Sequence, residues 1–371
     1  MGGFAVVICG AGIAGVEALL RLRRMAGDAV QVTLLTPADD LVYRPSTLLE
    51  PFTKTPPSRY SIERIAADAD ARWIRDTLSW VDRTAQTVHT TGGQELRYDA
   101  LLLAVGGRER KPDANVTTVT DHTPDHLYQS ILDDLASGVI RSLVLTEPAG
   151  PSWPLPLYEL ALLTAKRADD IGVQPRIAVV TENPAPLESF GPEVGEVVTQ
   201  LLFAAGISVY TRSQARVSGP HLVLLEPTGI ELRPDRIVTL PTITGPNVHG
   251  IPGDAADRFL AVDAHCRIRD TGGRIFAAGD ATDLRIKQGG LAAQQADTAA
   301  AGIAHLAGAA PSPAGLKPVM RGVLLTGGTP LYLTAYLIAG SGWRPEIHRR
   351  PPWNLEEAIV AEELGPYLAA F

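Results

Sequence analysis

Apolar residues in this chain fall into short continuous runs, separated by stretches in which they recur at helical spacing. Ala5-Val6-Val7-Ile8-Cys9, Ala100-Leu101-Leu102-Leu103-Ala104-Val105, Leu143-Val144-Leu145-Thr146 and Arg274-Ile275-Phe276-Ala277-Ala278 have the length of strands buried on both faces. Val30–Leu35, Arg176–Thr181 and Ile207–Tyr210 extend the strand set, while Ala18–Arg24, Leu155–Arg167, Val194–Ala205 and about Gly290–Leu306 read as helices. Strands alternating with helices predict an α/β chain, and the βαβ pattern starts twice, once at the N-terminus and again from Ser142. Trp73–Thr90 alternates as strands do, and Gly92-Gly93 closes a hairpin onto Leu96-Arg97-Tyr98. Shorter features are a loop over Leu41–Phe52, a helix within Arg59–Ala71, strands at His221–Leu225 and Arg236–Leu240, and a Pro/Ala linker at Ala309–Ala314. Near the end, Leu355, Ile359, Val360 and Leu364 predict an amphipathic helix whose polar side carries Glu356, Glu357, Glu362 and Glu363.

Composition narrows the class. A chain of 371 residues can hold two or three domains, and 45% hydrophobic with 20% charged residues is ordinary for a soluble globular protein. The 33 basic and 41 acidic residues leave a net charge of −8, which argues against nucleic acid as a partner. The two cysteines, Cys9 and Cys266, lie far apart, so neither a disulfide framework nor a cysteine metal site is expected, and no metal is assigned. No charged-then-apolar leader precedes the first strand. No apolar run reaches the ~20 residues of a membrane span. The longest, Leu331–Ala339, contains Tyr332, Thr334 and Tyr336. The acidic face near the C-terminus would be repelled by an anionic membrane. These features predict a cytoplasmic protein without an integral membrane segment.

Two strand-to-helix turns carry the candidate chemistry. Gly10-Ala11-Gly12-Ile13-Ala14-Gly15 is a Gly-x-Gly-x-x-Gly turn between a buried strand and a helix. Gly10 allows the tight turn, Gly12 the approach of a pyrophosphate, and Gly15 close helix–strand packing. The helix N-terminus adds free N–H groups and a positive dipole end. At the end of the next strand stands Thr36 rather than an acid, with Asp39 and Asp40 beyond it, so a ribose contact would come from backbone or the Thr36 hydroxyl. The second turn, Glu147-Pro148-Ala149-Gly150-Pro151-Ser152-Trp153-Pro154, is different. Its prolines remove N–H donors and Trp153 adds bulk, so it is dinucleotide-like in topology and damaged in chemistry.

Gly10-x-Gly12-x-x-Gly15, Ala100–Gly106 and Arg274–Asp280, in that order, resemble the FAD-dependent pyridine nucleotide-disulfide oxidoreductase superfamily over residues 1 to about 306. The resemblance implies two Rossmann-like dinucleotide-binding domains (the FAD/NAD(P)-binding fold) plus a short C-terminal segment. The FAD domain would be discontinuous, 1–112 and 254–325, the second, altered domain 113–253, and the C-terminal segment 326–371. By resemblance FAD is the cofactor, held by Gly10, Gly12, Ile13, Ala14 and Gly15, with Thr36 at the ribose. Ala104, Val105 and Gly106 stand at the domain junction and Gly279 and Asp280 at the ribityl–phosphate part. Arg44 and Pro45, after Tyr43, resemble the loop lining the isoalloxazine, a merely packed loop being the alternative. Gly290 and Leu291 resemble the helix start whose N–H groups face the flavin pyrimidine.

Within the superfamily the chain looks most like the branch of sulfide:quinone oxidoreductase, flavocytochrome c sulfide dehydrogenase and type II NADH dehydrogenase. Trp153-Pro154-Leu155-Pro156-Leu157-Tyr158-Glu159 resembles the proline-rich loop and Tyr-Glu of the sulfide oxidoreductases, which place a cysteine in or near it. Here Ser152 and Trp153 stand there, so chemistry through a redox disulfide is not expected. Three residues are candidates for catalysis. Glu159 would orient a substrate or relay a proton, or only complement a helix dipole. Lys287, followed by Gln288, would add charge beside the flavin, or sit in a solvated turn. Trp153 would cover the flavin face or pack a domain interface. Glu182, after the second-domain strand, is the remaining argument for NADH. Trp343, Trp353, Tyr367 and Phe371 would cap a flavin pocket or bury a contact in a homodimer, which is left open. The expected activity is an FAD-dependent oxidoreductase passing electrons from a small-molecule donor to a quinone or other acceptor. Its alternatives are an NADH-dependent flavin oxidoreductase and a flavoprotein whose degenerate nucleotide site serves binding or regulation.

Overall fold

The structure, a computed structural model, describes residues 3–43, 50–53, 58–110, 115–120, 126–252, 258–338, 342–353 and 359–371. Arg44 and Pro45 lie outside the described residues. The first part of the chain supplies β1 (Phe4–Cys9), α1 (Ile13–Ala26), β2 (Val30–Leu35), β3 (Arg72–Ile74) and β4 (Ala100–Leu103). The middle supplies β5 (Ser142–Thr146), α2 (Leu155–Asp170), β6 (Arg176–Val180), α3 (Pro192–Ala204), β7 (Ser208–Tyr210) and β8 (Arg236–Thr239). The last part supplies β9 (Ile275–Ala277), α4 (Gly289–Leu306), β10 (Val319–Leu324), β11 (Leu331–Ile338), β12 (Gly342–His348) and α5 (Leu364–Ala369).

The apolar runs become parallel strands because both sheet faces are covered. In the first sheet, ordered β9-β4-β1-β2-β3, every pairing is parallel. Successive side chains point to opposite faces. Val6, Ile8, Leu34, Leu102 and Phe276 therefore meet α1 and α4, while Val7, Cys9, Leu101, Leu103 and Ile275 meet Val81, Val88 and Leu96 of a three-stranded antiparallel sheet. The second sheet, Thr117–Thr118 then β8-β5-β6-β7, is again parallel. Leu143, Leu145 and Val179 pack there with Leu157, Leu160, Val194 and Val198 of its helices.

The C-terminal region departs from the sequence expectation. Instead of a short mixed segment it forms an antiparallel sheet β10-β11-β12, whose first strand lies before residue 326. Met320, Leu324, Leu331, Leu333 and Ala335 join the core of the second sheet, which is why Leu331–Ala339 is so apolar without spanning a membrane. Among the described residues no helix is long and apolar enough to cross a membrane. The loop expected over Leu41–Phe52 contains a strand at Asp40–Val42, paired with Arg59–Ser61, and a helical turn at Glu50–Thr53. The helix expected across Arg59–Ala71 is therefore only Ile62–Asp68, starting where the Ser61 hydroxyl accepts from the Arg64 N–H.

The expected helix Leu355–Leu364 is also shifted. Residues 354–358 lie outside the described set, Ile359–Glu363 is not helical, and α5 begins at Leu364. Glu17 of α1, fully buried, sets that start: its carboxylate accepts from the N–H groups of Glu363 (3.0 Å) and Leu364 (2.6 Å). Arg21 binds Glu362 and Glu363 and lies 3.8 Å from Asp297, and Arg24 also reaches Glu363. Ile359, Ala361, Leu364 and Leu368 are buried against the first core. Glu363 is thus held against the arginines of α1, while Glu362 pairs with Arg21 and stays exposed. Tyr367 donates to Asp68 at 2.7 Å, and Phe371 meets Tyr60 edge-on with the Arg64 guanidinium 4.0 Å from its ring.

Two outcomes follow for this latch. Glu17→Ala strands two helix N–H groups and should lower unfolding stability by about 1–3 kcal/mol in urea titrations. Burial first, then the neighbouring Glu17, raises the Asp297 pKa. The folded chain keeps a proton that the unfolded chain releases, so this group's contribution falls as pH rises above the ordinary carboxylate range. Asp297→Asn should gain stability relative to the parent from mildly acidic to alkaline pH, as read by urea midpoints.

Candidate flavin and electron-transfer site

The first strand–helix turn has only residues 10–12 between β1 and α1. Gly10 sits at φ +103°, and a Cβ there would lie 2.2 Å from the Ala104 carbonyl oxygen. A Cβ at Gly15 would lie 1.9 Å from the Gly10 carbonyl oxygen, so no side chain fits at either position. Gly12 is the opposite case: a Cβ would meet nothing within 4 Å, and the residue caps α1 without a side-chain bond. The first helical bond is Val16 N–H to the Gly12 carbonyl at 3.0 Å, which leaves the N–H groups of Ile13, Ala14 and Gly15 directed out of the helix end. Open backbone at a positive helix end is an anion site.

Neighbouring strand ends complete the cradle. Ala104 N–H donates to Cys9 and Ala278 N–H to Leu103, which brings the ends of β1, β4 and β9 together. The Gly279-Asp280 turn is clipped by buried polar groups. Gly279 N–H donates to Gln295 Oε1 (2.8 Å), Gln295 Nε2 donates to Thr282 Oγ1 (3.0 Å), and Thr282 Oγ1 donates to the Gly279 carbonyl (2.9 Å). Lys287 is buried rather than solvated, and its ammonium donates to the carbonyls of Thr282 (2.7 Å) and Asp280 (3.3 Å) while lying 3.7 Å from the Phe259 ring centroid. These contacts direct the ammonium at the Asp280 turn. Gln295, Thr282 and Phe259 escaped the sequence reading. The available signal was a glutamine within the buried stripe Leu291, Ala292, Gln295, Ala296, Ala299 of α4.

One other assigned group is placed differently from expectation. The Leu291 N–H does not point out of the α4 end: it donates to Gln288 Oε1 at 2.8 Å, while Gln288 Nε2 reaches the Arg321 carbonyl. Only Gly289 and Gly290 precede it in the helix, and Ile359 lies against Gly289. Thr36 is buried at the end of β2, its Oγ1 accepting from Ala38 N–H.

The second turn, residues 147–154, is longer. Ser152 pairs with Ile286, and Lys287 N–H donates to the Ser152 carbonyl at 3.2 Å, tying this loop to the start of α4. Trp153 is half-buried, 5.7 Å from the Phe190 ring and beside Gly322. It packs the contact between α2 and the C-terminal sheet. Glu159 is 4% exposed and its Oε1 accepts from Leu325 N–H at 3.0 Å. Burial pushes its pKa up to about 8, the Leu325 N–H opposing. The loop therefore draws the backbone of Ser152 to Lys287, while Trp153 and Glu159 face the C-terminal sheet. Cys9 and Cys266 sit in clusters on opposite faces of the first sheet, each thiol pushed up to about 12 by burial. Among the described residues no cluster of His, Cys, Asp or Glu forms a metal site.

Residues 4–135, which contain the Gly10–Gly15 turn and β4, match the pyridine nucleotide-disulphide oxidoreductase family. That match covers the N-terminal third of the chain. The open backbone at Gly12 and the α1 N–H groups directed out of the helix end fit the pyrophosphate of a dinucleotide such as FAD. The fold is similar to the sulfide:quinone oxidoreductase of the hyperthermophilic bacterium Aquifex aeolicus, with TM-score 0.83 and 18% identity over 94% of this chain and 87% of that one. It is also similar to the ferredoxin reductase of the CYP199A2 system from Rhodopseudomonas palustris, with TM-score 0.67 and 21% identity over 90% and 82%. A NAD-dependent persulfide reductase from A. fulgidus matches with TM-score 0.64 and 17% identity over 91% of this chain and 64% of that one.

Substituting the glycines separates cradle from scaffold. Gly12→Ala should leave the apoprotein's thermal stability unchanged yet weaken FAD binding by at least about tenfold, roughly 1.4 kcal/mol. Gly15→Ala should destabilise the apoprotein itself. Calorimetry of apoprotein and fluorescence titration with FAD read the two effects apart.

Proposed function

We propose that this chain is an FAD-dependent oxidoreductase that passes electrons from a small reductant to a quinone or other small acceptor without a redox-active disulfide. The observation that carries the reading is the placement of the two cysteines, buried on opposite faces of one sheet with raised thiol pKa values. A thiol relay needs an accessible, low-pKa pair, so the bound FAD supplies the two-electron chemistry by itself. Gly10, Gly12, Ile13, Ala14, Gly15, Ala104, Val105, Gly106, Gly279 and Asp280 would hold it, with Lys287 and Gln295 positioning the Asp280 turn.

The acceptor assignment draws on the likeness to sulfide:quinone oxidoreductase and on Glu159. Reducing a quinone takes two electrons and two protons. A carboxyl group with its pKa near 8 carries a proton at neutral pH in surroundings that exclude water. Glu159, at the start of α2 after the proline-rich loop, would deliver it. The donor assignment draws on the second turn, where Pro148, Pro151 and Pro154 give no N–H groups to a pyrophosphate. One observation favours an NADH-dependent reading instead: Glu182 is exposed just after β6, where a nucleotide ribose would meet an acid.

Anaerobic stopped-flow absorbance with NADH, NADPH and sulfide as donors, followed by a soluble quinone, tests the proposal. Bleaching by NADH at a catalytic rate would establish the NADH-dependent reading. Bleaching by none of them, and by no other small reductant, would favour a binding or regulatory flavoprotein. Glu159→Gln should slow quinone reduction roughly 10²-fold. It should also remove the decline in rate that the parent shows as pH rises through about 8.

A further inference from the structure

The second turn opens with a side chain that has no counterpart in the first. Glu147 directly follows β5, where Gly10 follows β1. Its Oε1 accepts from the Tyr158 hydroxyl (2.5 Å), and its Oε2 accepts from Thr181 Oγ1 (2.5 Å) and Asn183 Nδ2 (2.9 Å). Tyr158 comes from α2, and Thr181 and Asn183 from the end of β6. The carboxyl ends of adjacent parallel strands form the crevice where doubly wound sheets take ligands. The polar groups that would meet a ribose or a phosphate oxygen there are engaged by the chain's own carboxylate. Burial raises the Glu147 pKa, the Thr181, Tyr158 and Asn183 donors oppose that by favouring the charged form, and Glu182, the next acid along, raises it a little further.

We propose that Glu147 is a specificity-determining residue that closes the second nucleotide site to NAD(P)H. Its carboxylate stands where the nucleotide's oxygens would be, repels a pyrophosphate, and holds the Tyr158, Thr181 and Asn183 donors. The inference rests on the reading above that the donor is not a nicotinamide. It goes further by placing the exclusion on one removable charge as well as on the prolines of the loop.

ADP-ribose, the part of NADH that carries the ribose and pyrophosphate without redox chemistry, is the probe. Its binding to the FAD-loaded parent, Glu147→Ala and Glu147→Gln is measured by isothermal titration calorimetry, with FAD content and melting temperature recorded for each. The parent should show no saturable binding. Glu147→Ala, which removes the charge and releases three donors, should bind at least about tenfold more tightly than the parent's limit. Glu147→Gln keeps the shape and loses the charge, so it should show a smaller gain and serves if the alanine variant fails to fold. Unchanged affinity in a folded Glu147→Gln protein, with the parent still unreactive to NADH, overturns the role of Glu147 alone. Saturable ADP-ribose binding or NADH bleaching in the parent overturns the donor reading as well.

Discussion

The approach of the Gly10–Gly15 backbone to the end of β4 is the constraint on which the flavin-holding half depends. With the Ala104 carbonyl only 2.2 Å from where a Gly10 Cβ would be, and the Gly10 carbonyl 1.9 Å from a Gly15 Cβ, strand, turn and helix form one unit without side chains between them. That closeness puts the α1 N-terminus directly over the strand ends. It leaves Gly12 as the point where backbone meets open space. The anion site is a consequence of packing, produced before any side chain with a charge is involved.

The surrounding polar groups then serve the turn rather than the substrate. Gln295, Thr282 and Lys287 are buried and direct their donors and acceptors at the Gly279–Thr282 backbone. A buried ammonium is tolerated because carbonyls and the Phe259 ring replace its water. The second turn shows the reverse solution. There a longer, proline-rich loop reaches across to α4, and a carboxylate occupies the strand end. The first turn keeps bare backbone at its strand end, and the second holds Glu147 at the equivalent place.

Much of this was legible in the sequence where local chemistry and global packing agree. The continuous apolar runs announced strands covered on both faces, and the glycine spacing of 10, 12 and 15 announced the turn. The misreadings have a common physical origin: long-range partners. Leu355–Leu364 has helical spacing, but the fully buried Glu17, far away in sequence, starts the helix at Leu364. Lys287 looks like a surface lysine until Phe259 and the Asp280 and Thr282 carbonyls are placed around it. Leu331–Ala339 shows no partner in its own sequence, and Leu331, Leu333 and Ala335 join the core of the second sheet. Glu147 attracted no notice because its three donors come from two separate elements.

The most direct test of one intact and one altered dinucleotide site is a count of nucleotides bound. Equilibrium dialysis of the apoprotein against labelled FAD, and of the FAD-loaded protein against labelled NADH, gives that count for each ligand. The account predicts one FAD per chain and no NADH. A second dinucleotide bound per chain, whichever it is, would contradict it.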